Sequence, residues 1–294
     1  MLYQTVRPYQ KNNFLFKQSN NYPTVASTGY AQIRSDKNDI RYLYQLLHTE
    51  NFVIEAMKRS TGTGYPAISS SDLSEIEIYL PEINEQQKIA DFLSLIDQRI
   101  EKQHQLVECL KKYKRGLFNK CFSKLNDYKY LKLGSFAKIY QPSTISQNEF
   151  TNGPYKVFGA NGYIGNYDKY NHALPQVTVS CRGEKCGTVN FVDAYTWITG
   201  NSMVINIDGC NILNKKFLYH CLSNQNLRYL ISGSAQPQIV RNAIELHKIP
   251  CPNLVEQNKI ATFLDQNENL IIREECKLSN LISYKRGLLQ QMFI

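Results

Sequence analysis

The chain has 294 residues, 43% of them hydrophobic, and a formal charge of +9, enough for two cores of roughly 100 to 150 residues each and a balance that favours phosphate-bearing partners. No apolar run reaches the ~18 residues a bilayer crossing needs, and the eight cysteines and five histidines are scattered without zinc or disulfide spacing. Membrane, metal and cofactor chemistry are therefore not expected, and a reduced, cytoplasmic setting is.

Residues 1–82 come first and read best through the rest of the chain. Sliding the sequence by 171 positions aligns residues 62–122 with 233–293 without a gap, and 20 of the 61 positions are identical. The chain is an internal duplication. At an offset of 175 a weaker match places Thr5-Val6-Arg7 on Ser180-Cys181-Arg182, Tyr22 on Trp197, Ser27 on Ser202 and Leu43-Tyr44 on Leu218-Tyr219. The first domain is thus expected to be the latter part of a copy of the second, beginning in its middle and without a counterpart of residues 129–175.

Residues 83–124 follow as a long helix. Pro81 closes an extended segment, and Asn84 followed by Gln87 reads as a capping-box start. Ile89, Leu93, Ile96, Ile100, Gln103, Val107, Leu110, Lys114 and Leu117 then step by alternating four and three, the seam of a heptad repeat. Such a helix of about 39 residues extends ~60 Å and needs an equally long partner.

Residues 125–252 read as a complete mixed α/β domain. Strands are expected at 177–180, 187–192 and 203–207, a helix over 214–231 and a last strand near 246–249. The stretch KVFGANGYIGNYDKYN, residues 156–171, is rich in Gly, Asn, Tyr and Lys but lacks the Gly-Lys-Ser/Thr of a phosphate loop. SCRGEKCG, residues 180–187, reads as the hairpin between two strands. Amides and cations on such loops suit DNA, because amides donate and accept at base edges and cations hold phosphates. By residue type and loop placement the candidate DNA contacts are Lys156, Asn161, Tyr163, Lys169, Arg182, Lys185 and Gln238.

Residues 253–294 repeat the long helix, with Asn253 and Glu256 at its start. Its seam is Ile260, Leu264, Asn267, Ile271, Glu274, Leu278, Leu281, Lys285 and Leu288. Polar residues interrupt both seams at the same places, Gln103 with Glu274 and Lys114 with Lys285, as buried polar groups do when they fix register. The two helices are expected to pair antiparallel.

No catalytic set emerges. NGPY at 152–155 is not the Asn/Asp-Pro-Pro-Tyr/Phe of a DNA methyltransferase, and Glu184-Lys185 lacks the spacing of a nuclease carboxylate set.

The order domain, helix, domain, helix, with P-x-x-x-E-Q-x-K-I-A-x-F-L opening and YKRGL-x-x-x-x-F ending each helix, resembles the specificity subunit of type I restriction-modification enzymes. The segments QTVRPYQKNN, TGTGYPAIS and SGSAQPQIV share in that resemblance. It implies an α/β fold with two target recognition domains, the first incomplete, separated by two long helices in an antiparallel coiled coil. It also implies a non-catalytic subunit that reads a split target in double-stranded DNA and docks modification (methyltransferase) and restriction subunits. A second copy of the chain could supply the deficient half. The competing expectation is a truncated or silent cassette that serves only as a coiled-coil interaction scaffold.

Overall fold

The structure is a computed structural model that describes residues 1–16, 25–123, 128–233 and 236–293. Contacts divide the chain into two units, Met1–Glu108 with Ile272–Ile294, and Cys109–Ile271, so each unit takes part of both long helices.

Unit 1 opens with β1 (Leu2–Gln4), paired antiparallel with β2 (Tyr30–Gln32). Helices α1 (Ile40–Leu46), α2 (Glu50–Lys58) and α3 (Ser70–Ser74) follow, and α4 (Ile83–Ser123) begins. Each short helix starts where a polar side chain takes an orphan amide: Asp39 accepts from Arg41 N at 2.8 Å, Thr49 from Phe52 N at 3.3 Å and Ser69 from Asp72 N at 3.0 Å. Their apolar faces bury Tyr3, Tyr42, Leu43, Leu46, Phe52 and Ile68 in one core with Ala90 of α4.

Unit 2 contains, in order, β3 (Tyr130–Lys132), β4 (Lys138–Tyr140), β5 (Tyr155–Phe158), β6 (Tyr163–Tyr167), β7 (Gln176–Ser180), β8 (Val189–Val192), β9 (Trp197–Ile198) and β10 (Ser202–Asn206). Helix α5 (Lys215–Asn224), β11 (Ile231–Ser232), β12 (Gln238–Ile239), α6 (Arg241–Leu246), β13 (Lys248–Pro250) and α7 (Leu254–Met292) complete the chain. The central sheet is antiparallel in the order β4-β10-β7-β8. Alternation along its strands sends Val177, Val179, Met203 and Ile205 towards Phe217, Leu218 and Leu222 of α5. Val204 and Val192 pack instead with Phe158 and Ile198 of the small sheet β6-β5-β9. Covered on both faces, β7 is buried throughout, which is why it reads as QVTVS with small polar residues on one side.

Expected strands at 177–180, 187–192 and 203–207 correspond to β7, β8 and β10. The helix expected over 214–231 is shorter: α5 ends at Asn224, and Asn226 accepts from Arg228 N to start a separate turn over Leu227–Leu230. The glycine-rich stretch 156–171, expected as loop, holds the β5–β6 hairpin. Gly165 of β6 makes room for the Phe150 ring, since a Cβ there would stand 2.4 Å from Phe150 Cδ2.

The long helices are antiparallel where they meet. In unit 1, Leu93 and Ile96 of α4 cluster with Leu289 of α7, Lys285 Nζ reaches Asp97 at 2.6 Å, and Gln103 Nε2 donates to Glu274 O and Oε2 at 3.0 and 2.9 Å. Residue numbers rise on one helix as they fall on the other, and Gln103 and Glu274, equivalent positions of the two repeats, meet each other. In unit 2, Lys114 Nζ pairs with Glu268 at 3.0 Å. Ile89, Leu93, Ile96, Ile100, Leu110, Leu117, Ile260, Leu264, Ile271, Leu278, Leu281 and Leu288 are all buried or half-buried. Phe118 and Leu289 are buried beside the seam as well, since 3.6 residues per turn drifts against a 3.5 repeat.

Candidate nucleic-acid interface

The repeat places one backbone framework in both units. Tyr3 pairs with Ala31 as Val179 pairs with Met203. Thr5 N donates to Gly29 O as Cys181 N donates to Asn201 O, and Ile68 N donates to Thr5 O as Ile239 N donates to Cys181 O. These registers correct the offset of 175 for this strand to 176. Arg7 therefore falls on Gly183 rather than Arg182, and its N–H donates to Pro66 O as that of Gly183 donates to Pro237 O. Left-handed backbone agrees: Arg7 and Lys11 have φ of 55°, where Gly183 and Gly187 have 80° and 88°. Tyr30, opposite Gln4, holds the place of Ser202, opposite Ser180, so the Ser27 match does not stand. The match of Tyr22 lies outside the described residues. Leu43-Tyr44 keep their offset, as the N-caps Asp39 and Asn214 show.

A second shared device explains the Glu-Gln doublet at 85–86 and 256–257. Gln86 Oε1 accepts from Asp39 N at 3.1 Å, while its Nε2 donates to Pro81 O at 2.9 Å. Gln257 does the same, accepting from Asn214 N at 2.8 Å and donating to Pro252 O at 2.8 Å, with a further bond to Ile212 O. Both glutamines are buried. Each clamps a domain helix cap to the start of a long helix, and in both units the site rests on that anchored framework. The helix start itself differs between copies. Glu256 N donates to Asn253 Oδ1 at 3.0 Å, whereas Asn84 lies inside the first turn of α4, whose leading amides donate to Glu82 O.

The seven candidate contacts are all exposed. The structure gathers four at one end of the central sheet. Ser180 Oγ donates to Ala160 O, and Ser202 Oγ donates to Gly159 O at 2.8 Å, seating the β5–β6 turn with Asn161 next to the end of β7. The 181–188 loop starts there with Arg182 and Lys185, and Arg182 bridges Gln238 through the backbone. Lys156 and Tyr163 sit on strands rather than in a loop. Lys156 Nζ lies 4.7 Å from the Tyr163 ring centroid, and the Tyr163 hydroxyl donates to Asp193 at 2.9 Å. Burial and that carboxylate raise the Tyr163 phenol above its ordinary range. Lys169 stands apart, beyond the open end of the hairpin, where Tyr170 packs on Tyr155 and Tyr195. None of Lys156, Lys169, Arg182 and Lys185 forms an ion pair among the described residues. Unpaired cations are free to replace counterions on a polyanion.

Around α5 the charges are instead satisfied internally. His220 Nε2 meets Asp265 at 2.7 Å, and Glu268 takes Lys114 at 3.0 Å and the Tyr219 hydroxyl at 3.3 Å. His220, Asp265 and Glu268 could by distance hold a cation, but Lys114 and Lys216 already occupy their carboxylates. Burial lowers the His220 pKa despite Asp265. All eight cysteines are free thiols, and burial pushes Cys181, Cys186, Cys221 and Cys251 up, away from the thiolate. No helix among the described residues is long and apolar enough to cross a membrane.

The sequence profile of the type I restriction modification DNA specificity domain matches residues 11–111 and 126–284. Among similar proteins, the type I restriction enzyme MjaVIII specificity subunit of Methanocaldococcus jannaschii is 25% identical over 281 residues, spanning 80% of this chain and 64% of that one. The MjaIX specificity subunit of the same organism is 36% identical over 108 residues, 36% of this chain and 25% of that one. The chain thus spans less than two thirds of the length of these relatives. In fold it is similar to the crystal structure of a type I restriction-modification S subunit from M. genitalium, with a TM-score of 0.67 and 20% identity over 88% of this chain and 73% of the other. A chain from a type I R-M system solved for its complex assembly gives a TM-score of 0.59 at 19% identity, over 99% of this chain and 80% of that one. With the repeated domain-and-helix framework described above, the profile match over most of the chain settles the family: the chain belongs to the type I restriction-modification DNA specificity family.

Proposed function

We propose that the chain is the sequence-reading component of a type I restriction-modification complex and recognises a split target in double-stranded DNA. Residues 1–82 and 125–252 would read the two halves, and residues 83–124 and 253–294 would act as the spacer. Methylation and cleavage belong on this reading to modification and restriction subunits, which the chain docks without a catalytic step of its own. Its place is then the cytoplasm, with the DNA.

One observation carries the reading: a single backbone framework occurs twice, and its equivalent turn bears different side chains in the two copies. Arg182, Lys185 and Gln238 in the second domain stand where the first has Val6, Tyr9 and Ala67. A framework kept while its exposed tip changes suits two readers with different targets, because phosphate contacts position a domain and a few side chains specify bases. The four unpaired cations and the net charge of +9 agree with a polyanionic partner.

The test is selection of bound duplexes from a randomised library by the full chain at several salt concentrations. A consensus of two defined blocks around an undefined gap is expected, with affinity falling steeply as salt rises. Salt-dependent binding that enriches no sequence would refute DNA reading and leave the scaffold role.

A further inference from the structure

The turn over residues 7–11 of the first domain holds an arginine in left-handed backbone. Arg7 takes φ 55° and ψ 57°, a left-handed conformation that side-chain-bearing residues adopt at a cost, where the equivalent residue of the second domain is glycine. Nothing in the turn's backbone pattern demands arginine there, since Gly183 makes the same bond to its proline carbonyl. The guanidinium sits over the Tyr65 ring, with Cζ 4.1 Å from the ring centroid, and Tyr65 is itself 69% exposed. Arg7 Nε is shielded and has no hydrogen-bond partner, and no carboxylate pairs with the group among the described residues. Lys11, the other cation of the turn, is by contrast held by His48 O at 2.9 Å and Glu50 at 3.0 Å.

We propose that Arg7, braced by Tyr65, is the base-reading side chain of the first domain and takes a guanine through its terminal N–H fork. The ring contact restrains the guanidinium and leaves the two terminal nitrogens to donate. Paired donors in one plane match the O6 and N7 acceptors that guanine presents in the major groove. Lysine, a point charge on a flexible stem, cannot reproduce that fork. The inference rests on the DNA-reading function proposed above.

The test uses the full chain as wild type, Arg7→Gly and Arg7→Lys, each selected against a randomised duplex library and then titrated with the winning site and its single-base variants. Arg7→Gly adopts the backbone that Gly183 already shows, so its thermal midpoint should not fall. Both variants should lose the preference for guanine at one position of one block, weakening the best site by roughly 5- to 150-fold while leaving the other block intact. Uniform weakening on every sequence would make Arg7 a phosphate contact and overturn the proposal. An unchanged consensus, or a lowered midpoint with uniform loss, would overturn it equally. If the wild type enriches no sequence, the DNA-reading function itself fails and this inference falls with it.

Discussion

Replacing Gln257 tests whether the shared glutamine clamp holds the second domain together. Its carboxamide accepts from Asn214 N and donates to the carbonyls of Ile212 and Pro252, all at 2.8 Å, in a fully buried setting. Gln257→Met keeps most of the volume and removes these three bonds with a longer one to Cys251 Sγ, leaving a backbone donor and two carbonyls without their partner. An orphaned buried polar group costs about 1–3 kcal/mol, and carbonyls with a second lone pair sit at the low end. The net loss should be about 3 kcal/mol. At about 2–4 °C per kcal/mol for a unit of this size, the midpoint should fall by roughly 6–12 °C. Trp197, the only tryptophan, lies in the second unit and reports its unfolding by fluorescence. Gln257→Ala should cost somewhat more, since it adds a cavity. A midpoint within 1 °C of wild type for both variants would refute the clamp.

Three further outcomes follow from the same structure. Leu93→Ala, at a wholly buried seam position packed with Leu289, should cost about 2–5 kcal/mol in chemical denaturation. Gly165→Ala drives a methyl into the Phe150 ring and should cost about 1–3 kcal/mol; an unchanged denaturation midpoint would count against the hairpin. Burial lowers the pKa of His48, His172, His220 and His247, so the unfolded chain binds protons near pH 6.5 that the folded chain refuses. That stability is complete above pH 6.5 and is lost as pH falls through the depressed folded values. Hydrogen bonds from Lys277 and Gln103 hold Glu274 at about 2, and Asp39 and Asp208 also lie low, so further stability is lost at carboxylate pH. Denaturation midpoints should therefore fall from pH 7.5 to pH 5; a rise would contradict the assignment.

Much of this architecture was legible in the residues, for identifiable reasons. The seam could be read because burial along a paired helix recurs at fixed spacing, and β7 and β10 because burial on both faces leaves apolar or small residues in runs. The β5–β6 hairpin escaped the pattern, since glycines admit the Phe150 ring where a strand would carry side chains. Gln86 and Gln257 were visible as a repeated doublet, but their role depends on partners more than 40 residues away. A single offset misassigned Arg7, because the two strands of the framework carry slightly different offsets. Only backbone register and the left-handed positions identify Gly183 as its counterpart.

On the proposed function, the paired helices set the distance between two DNA readers. Inserting one heptad at matched positions in α4 and α7 preserves the seam and lengthens the pair by about 10 Å, close to three base pairs at 3.4 Å each. Library selection with this variant should return the same two blocks with the gap widened by about three base pairs. The same blocks at the original spacing would show that the helices do not set that distance.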